Sequence, residues 1–146
     1  MIRSIALAIA SLTLAACIAP AHVMSDIPAM DEPTLITELQ SARYGSRNET
    51  WHANWEPYRD AIQAELFKRN PQWTEDERRL IAAEQISVGV STEVVLASWG
   101  RPRNINRTTT AGGTAEQWCY GGIYDPRFVY FENGYEYSKE FLYGQG

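Results

Sequence analysis

The spacing of apolar residues in this 146-residue chain changes at Pro102. Before it, large apolar side chains recur every three or four positions, the period of one helix face. Beyond it they cluster in short runs between glycine-marked turns, the pattern of strands. Helices first and an antiparallel meander afterwards define an α+β chain, with a three- to four-stranded sheet packed on the preceding helices. The length suits one compact domain. With 45% hydrophobic residues and two cysteines, low-complexity and disulfide-stapled classes are excluded. A formal charge of -5 argues against a nucleic-acid binder, which would carry a basic stripe.

The helical region is expected over residues 34–85. A first short helix fits Thr34–Tyr44, stopped near Gly45. In the next, Trp51, Trp55, Tyr58, Ile62 and Leu66 form one apolar stripe, read as core. Pro57 predicts that this helix becomes regular near Trp55, because proline is tolerated only in a first turn. Asn70-Pro71 ends it. Thr74 and Glu77 then form a capping box, opening a helix that runs to about Ile86. Ser91 is a natural N-cap for Thr92–Trp99, Gly100 its C-terminal stop, and Pro102 blocks continuation.

Among the strands, Asn104–Thr109 is polar and β-branched, and Ala111-Gly112-Gly113 is a turn. Glu116–Tyr120 follows as a strand, and Gly121-Gly122 with Asp125-Pro126 marks the next connection. Asn133-Gly134 between Phe128–Phe131 and Tyr135–Tyr137 is the preferred type I′ hairpin turn. A two-residue turn there would pair Tyr130 with Tyr137 and Glu132 with Tyr135, with Val129 and Phe131 toward the helices. The tyrosine face is then a partly exposed aromatic patch of the kind that marks a partner site. The bland alternative packs these tyrosines against the helical stripe.

The N-terminus reads as an address. Arg3 precedes an apolar run of about a dozen residues, too short to span a bilayer and suited to a secretory signal peptide over 1–16. The run ends Leu14-Ala15-Ala16-Cys17, which resembles the lipobox of bacterial lipoproteins. That resemblance implies cleavage before Cys17 and its lipidation, hence attachment to a membrane through more than one acyl chain. Ile18 in place of an aspartate favours the outer membrane in lipoproteins of this kind, here on the periplasmic face. Residues 17–33, with Pro20, Pro28 and Pro33, read as a tether reaching roughly 20–25 Å. His22 within it is read as solvent-exposed.

Residues 86–146 carry a second resemblance. Ile86-Ser-Val-Gly89-Val-Ser91, Val94-Val95 and Trp99-Gly100-Arg-Pro102 precede Gln117-Trp118-Cys-Tyr120 and Tyr130-Phe131-Glu-Asn133-Gly134. In this order they resemble the SmpA/OmlA family, the BamE-like small outer-membrane lipoproteins, whose fold is similar to β-lactamase inhibitor protein modules. Val90-Ser91 stands where that family has Met-Thr, and the helices over 34–85 are additional to its small members. The resemblance implies a binding role in outer-membrane protein assembly or envelope integrity, with an envelope protein as partner.

Catalysis has a thin inventory. No His-Glu-x-x-His, Gly-x-Ser-x-Gly, Walker A or dinucleotide fingerprint occurs. His52 and Cys119 could pair in a small envelope hydrolase, but Cys119, between Trp118 and Tyr120, reads first as a small buried hydrophobe. An interchain disulfide is its other reading. A structural zinc site needs more Cys and His than remain. The chain is therefore expected to be no enzyme, with no cofactor, metal or small-molecule substrate. The partner-binding candidates are Trp118, Tyr120, Tyr130, Tyr135, Tyr137, Arg101 and Arg103. The arginines, with Arg107 nearby, fit either a solvated turn or a contact to an acidic partner or lipid headgroup. A rival binding reading is an inhibitor-like or phage-encoded lipoprotein that engages another envelope protein.

Overall fold

The computed structural model describes residues 24–47 and 52–142, and side chains over 24–47 and 55–135. The expected signal peptide over 1–16, Cys17, His22 and Trp51 lie outside the described residues, as do the side chains of His52 and Tyr137. A 3₁₀ helix, Met24–Ala29, leads into α1 (Glu32–Ser46), α2 (His52–Arg69), α3 (Glu75–Ala82) and α4 (Thr92–Trp99). Four strands follow, β1 (Asn104–Thr110), β2 (Gly113–Gly121), β3 (Pro126–Glu132) and β4 (Tyr135–Leu142). They form one antiparallel meander in the order β1-β2-β3-β4, the α+β arrangement expected.

The caps form as their residue types dictate. Thr74 and Glu77 close a reciprocal capping box at the start of α3, and Ser91 Oγ accepts from the Val94 N–H at the start of α4. Gly100 takes φ 78°, a conformation that costs glycine little, and its N–H donates to Leu96 O. Asn133 and Gly134 both have positive φ, as a type I′ turn requires. This turn docks on α4, whose Thr92 N–H donates to Gly134 O at 3.0 Å.

Residues 24–33, expected within the tether, are folded. Asp31 caps α1 by accepting from Thr34 N at 2.8 Å, and Pro33 sits in the first turn, where its missing N–H has no intrahelical partner to lose. Ile27 of the 3₁₀ helix is buried, and Arg69 at the end of α2 donates to the carbonyls of Met30 (2.6 Å) and Pro28 (3.0 Å). Helix α2 also begins earlier than Pro57 predicted, at His52, so it carries that proline internally and forgoes one backbone hydrogen bond. Helix α3 ends at Ala82 rather than near Ile86, and Glu84 beyond it has φ 55°.

Glu65 holds Arg69 in place. Its carboxylate accepts from Arg69 Nε at 2.8 Å, and this bond chiefly keeps its pKa below the ordinary 4.5. A depressed folded-state pKa gives stability that is present above pH 4.5 and lost as pH falls through the folded value. Melting temperature is therefore expected to fall on acidification below that point. In Glu65→Gln the same titration should be flatter.

The core lies between the helices and one face of the sheet. Trp55, Tyr58, Ile62 and Leu66 bring the expected α2 stripe inward, against Leu35 and Leu39 of α1. The sheet contributes Trp118, Tyr120, Val129 and Phe131 from its helix-facing side. Helices α1 and α2 approach closely because Gly45 has no side chain. A Cβ there would lie 2.5 Å from the Trp55 ring. Gly45→Ala is expected to cost about 2 kcal/mol by overpacking, read as a lower urea midpoint.

Arg43 joins the helical layers. It is buried and donates from Nη1 to Ala97 O (3.0 Å) and Ser98 O (2.7 Å), and from Nη2 to Ile81 O (2.6 Å). These are carbonyls of the last turns of α4 and α3, the negative ends of both helices. Burial draws its pKa down to about 10, which leaves it charged at neutral pH.

Candidate functional site

The meander turns its polar edge strand toward the start of α1, and a groove of about 560 Å³ opens between them. Pro33 and Ile36 of α1, Leu96 of α4, Pro102, Ile105 of β1 and Trp118 of β2 make its apolar walls. Glu32 and Arg101 bring opposite charges to the lining. Ile105 is the only apolar residue of β1, and it remains 43% exposed. Its register partner is Trp118, so the two side chains share the helix-facing side. An isoleucine left in contact with water at the mouth of an apolar groove is a surface that a partner could dry.

The rim is electrostatically set. The Asp31 carboxyl is held below its ordinary pKa chiefly by its hydrogen bonds from Thr34, with the Arg101 and Arg69 charges adding to the effect. Arg103 Nη1 donates to Gly121 O at 2.9 Å, and Arg107 Nε to Glu116 Oε1 at 2.7 Å. The Glu116 carboxylate also accepts from Trp118 Nε1 at 2.7 Å, which fixes the indole along the groove floor. A second cavity, about 380 Å³ and polar, lies among Gln40, Arg47, Glu84 and Trp99, and the Arg47–Glu84 ion pair lies in its lining.

The aromatic candidates divide between the two faces of the sheet. Trp118 and Tyr120, expected on a partner surface, belong to the core: Trp118 is 4% exposed against Phe131, and Tyr120 packs edge-on to Trp99. The reason is register, because Trp118 lies opposite the buried Val129 and alternation carries Tyr120 to the same face. The Tyr120 hydroxyl donates to Gly100 O at 3.1 Å, and burial pushes its pKa well above the ordinary range. Val129 and Phe131 face the helices as expected.

Tyr130 lies on the opposite face, half-buried, with its hydroxyl accepting from Gln117 Nε2 at 2.8 Å. Tyr135 is opposite Glu132 as expected and is 61% exposed. Tyr137 does not pair with Tyr130. A β-bulge shifts the β3–β4 register, and Ser138 takes that place. The patch is thus reduced, among described side chains, to Tyr130 and Tyr135. Cys119 is on this outer face too and is only partly buried, with Asn106 Nδ2 3.9 Å from its sulfur. It is not the small core hydrophobe expected, because the strand phase that buries Trp118 and Tyr120 turns Cys119 outward.

Arg101 and Arg103 are both exposed, and Arg101 lines the groove. Trp118 lines it too, from its buried position, and the other groove residues are new. Ile105, alone in a polar strand, was the one sequence signal that could have pointed to them. Among the described residues no group of three or more His, Cys, Asp or Glu could hold a metal ion, and no helix is long and apolar enough to cross a membrane. No family model, curated protein or solved structure matches this chain.

Proposed function

We propose that this chain is a lipid-anchored binding module that scaffolds or assembles envelope proteins at the periplasmic face of an outer membrane. The observation that carries the binding role is the groove between α1 and β1, an apolar cleft with an exposed isoleucine and charged residues at its edge. Such a cleft offers apolar area for affinity and fixed charges for orientation. The lipobox-like Leu14–Cys17 supports the anchor, and the motifs between Ile86 and Gly134 support the assembly role through their resemblance to the BamE-like family. In this reading the chain has no reaction to catalyse and no cofactor to hold.

The test is affinity isolation of the full-length, lipidated chain from the membranes of its host. Recovery of an outer-membrane assembly component in stoichiometric amount is expected. A folded, lipidated chain that recovers no such component contradicts the assembly role.

A further inference from the structure

The groove does not end at the sheet; it runs to an open strand edge. Strand β1 is at one end of the strand order, all seven of its residues are exposed, and no described strand lies beyond it. Its hairpin with β2 is closed by a two-residue turn in which Thr110 faces Gly113. Such turns are closed by a hydrogen-bonded pair, so every second residue counted back from Thr110 bonds to β2. The residues between, Thr109, Arg107 and Ile105, direct their backbone N–H and C=O groups away from the sheet. Ile105 thus joins both features, with its backbone on the open edge and its side chain in the groove.

The charge carried by this segment of chain has one sign. From Gly100 to Ala115 the chain carries three arginines, Arg101, Arg103 and Arg107, and no acidic residue, although its overall charge is -5. Glu32 and Asp31 approach from α1, and Glu116 from β2. Along the edge strand itself every formal charge is positive.

We infer that β1 takes an extended, acidic segment of a partner protein as a fifth strand, with one large apolar side chain of that segment seated in the groove beside Ile105. Strand addition supplies main-chain hydrogen bonds along Ile105–Thr109, and the alternate side chains of the guest select it. One set enters the cleft. Carboxylates elsewhere along the segment meet Arg101 and Arg103, Arg107 being paired with Glu116, and exclude basic sequences. This inference rests on the binding reading above and names the class of partner.

The test uses the full-length chain and synthetic peptides of about eight residues, the length of an ordinary strand. One peptide alternates Glu with Leu or Val, a second has Lys in place of Glu, and a third is the acidic peptide with methylated backbone nitrogens. The acidic peptide should bind and slow amide exchange at Ile105, Arg107 and Thr109. The Lys peptide should bind at least about tenfold more weakly, and the methylated one should not bind measurably. Thr109→Pro removes an outward N–H without touching the ladder to β2, so it should abolish binding with little change in melting temperature. Ile105→Asp should weaken binding as well.

Undiminished binding to Thr109→Pro, or no peptide binding at all, overturns the inference. Protection of the face around Tyr135 instead of β1 also overturns it, and leaves the binding-module reading standing. If the acidic peptide binds β1 but the lipidated chain recovers no envelope assembly protein, the proposed function fails and the strand-addition site remains.

Discussion

Arg43→Met is expected to lower stability by about 3–5 kcal/mol, and the melting temperature by roughly 10–20 °C. Methionine keeps much of the buried volume but leaves the carbonyls of Ile81, Ala97 and Ser98 without the guanidinium. The Ala97 carbonyl retains a long contact from Gln40 Nε2 at 3.5 Å, and that of Ile81 a bond from the Glu84 N–H at 3.2 Å. The Ser98 carbonyl has no such second donor among the described hydrogen bonds. Charge-assisted bonds to buried acceptors are each worth about 1.5–3 kcal/mol, and with the Ser98 bond counted in full and the other two in part the total follows without invoking lost packing. Lysine cannot reproduce the fork, and Arg43→Lys should recover only part of the loss. Chemical denaturation of the two variants against the parent chain measures both. A loss below about 1 kcal/mol in Arg43→Met would contradict the role given to this residue.

Cys17→Ser is expected to remove the lipid anchor and keep the protein out of the outer membrane. A diacylated cysteine holds a chain stably, whereas no helix among the described residues is apolar and long enough to span a bilayer. The variant should retain its unprocessed N-terminus, whose apolar run keeps it with the inner membrane, and should be lost nearly completely from the outer-membrane fraction. The parent chain should show an N-terminal peptide beginning at Cys17 and carrying the mass of its acyl groups. The folded part should be indifferent to the change, with equal melting temperatures for the two forms. Recovery of Cys17→Ser in the outer-membrane fraction equal to that of the parent would reject lipid anchoring at this position.

How far the fold could be read in advance depended on the range of the forces involved. Caps and turns are decided by a few neighbouring residues, so Thr74 with Glu77, Ser91 before Thr92, and Asn133-Gly134 formed where their types put them. The α2 stripe was legible because periodicity on a helix needs no knowledge of the partner face. Prolines misled where they were read only as breakers. Pro28 and Pro33 sit inside folded elements: first-turn geometry admits Pro33, and the Arg69 side chain satisfies the carbonyls of Pro28 and Met30.

The candidate site was less legible for a different reason. In Glu116–Tyr120 both strand phases carry at least one apolar or aromatic residue, so local pattern leaves the buried face undecided. Pairing with Val129 decides it, and with it the inward fate of Trp118 and Tyr120. The bulge that moves Tyr137 from Tyr130 is likewise a property of two strands together. Arg43 has no local signature in the sequence, since its three acceptors lie 38 to 55 positions away in the chain. The groove needs α1, α4, β1 and β2 in place before it exists.

The central claim is that the α1–β1 groove receives a protein partner while the chain sits on its membrane. It is tested most directly by photo-crosslinking in the native envelope, with the photoreactive residue at Ile105 in one strain and at Tyr135 in another. The account predicts one recurrent envelope-protein adduct from position 105, mapped to an extended acidic segment, and none of that partner from position 135. Adducts with that partner from position 135 alone, with none from 105, would contradict it.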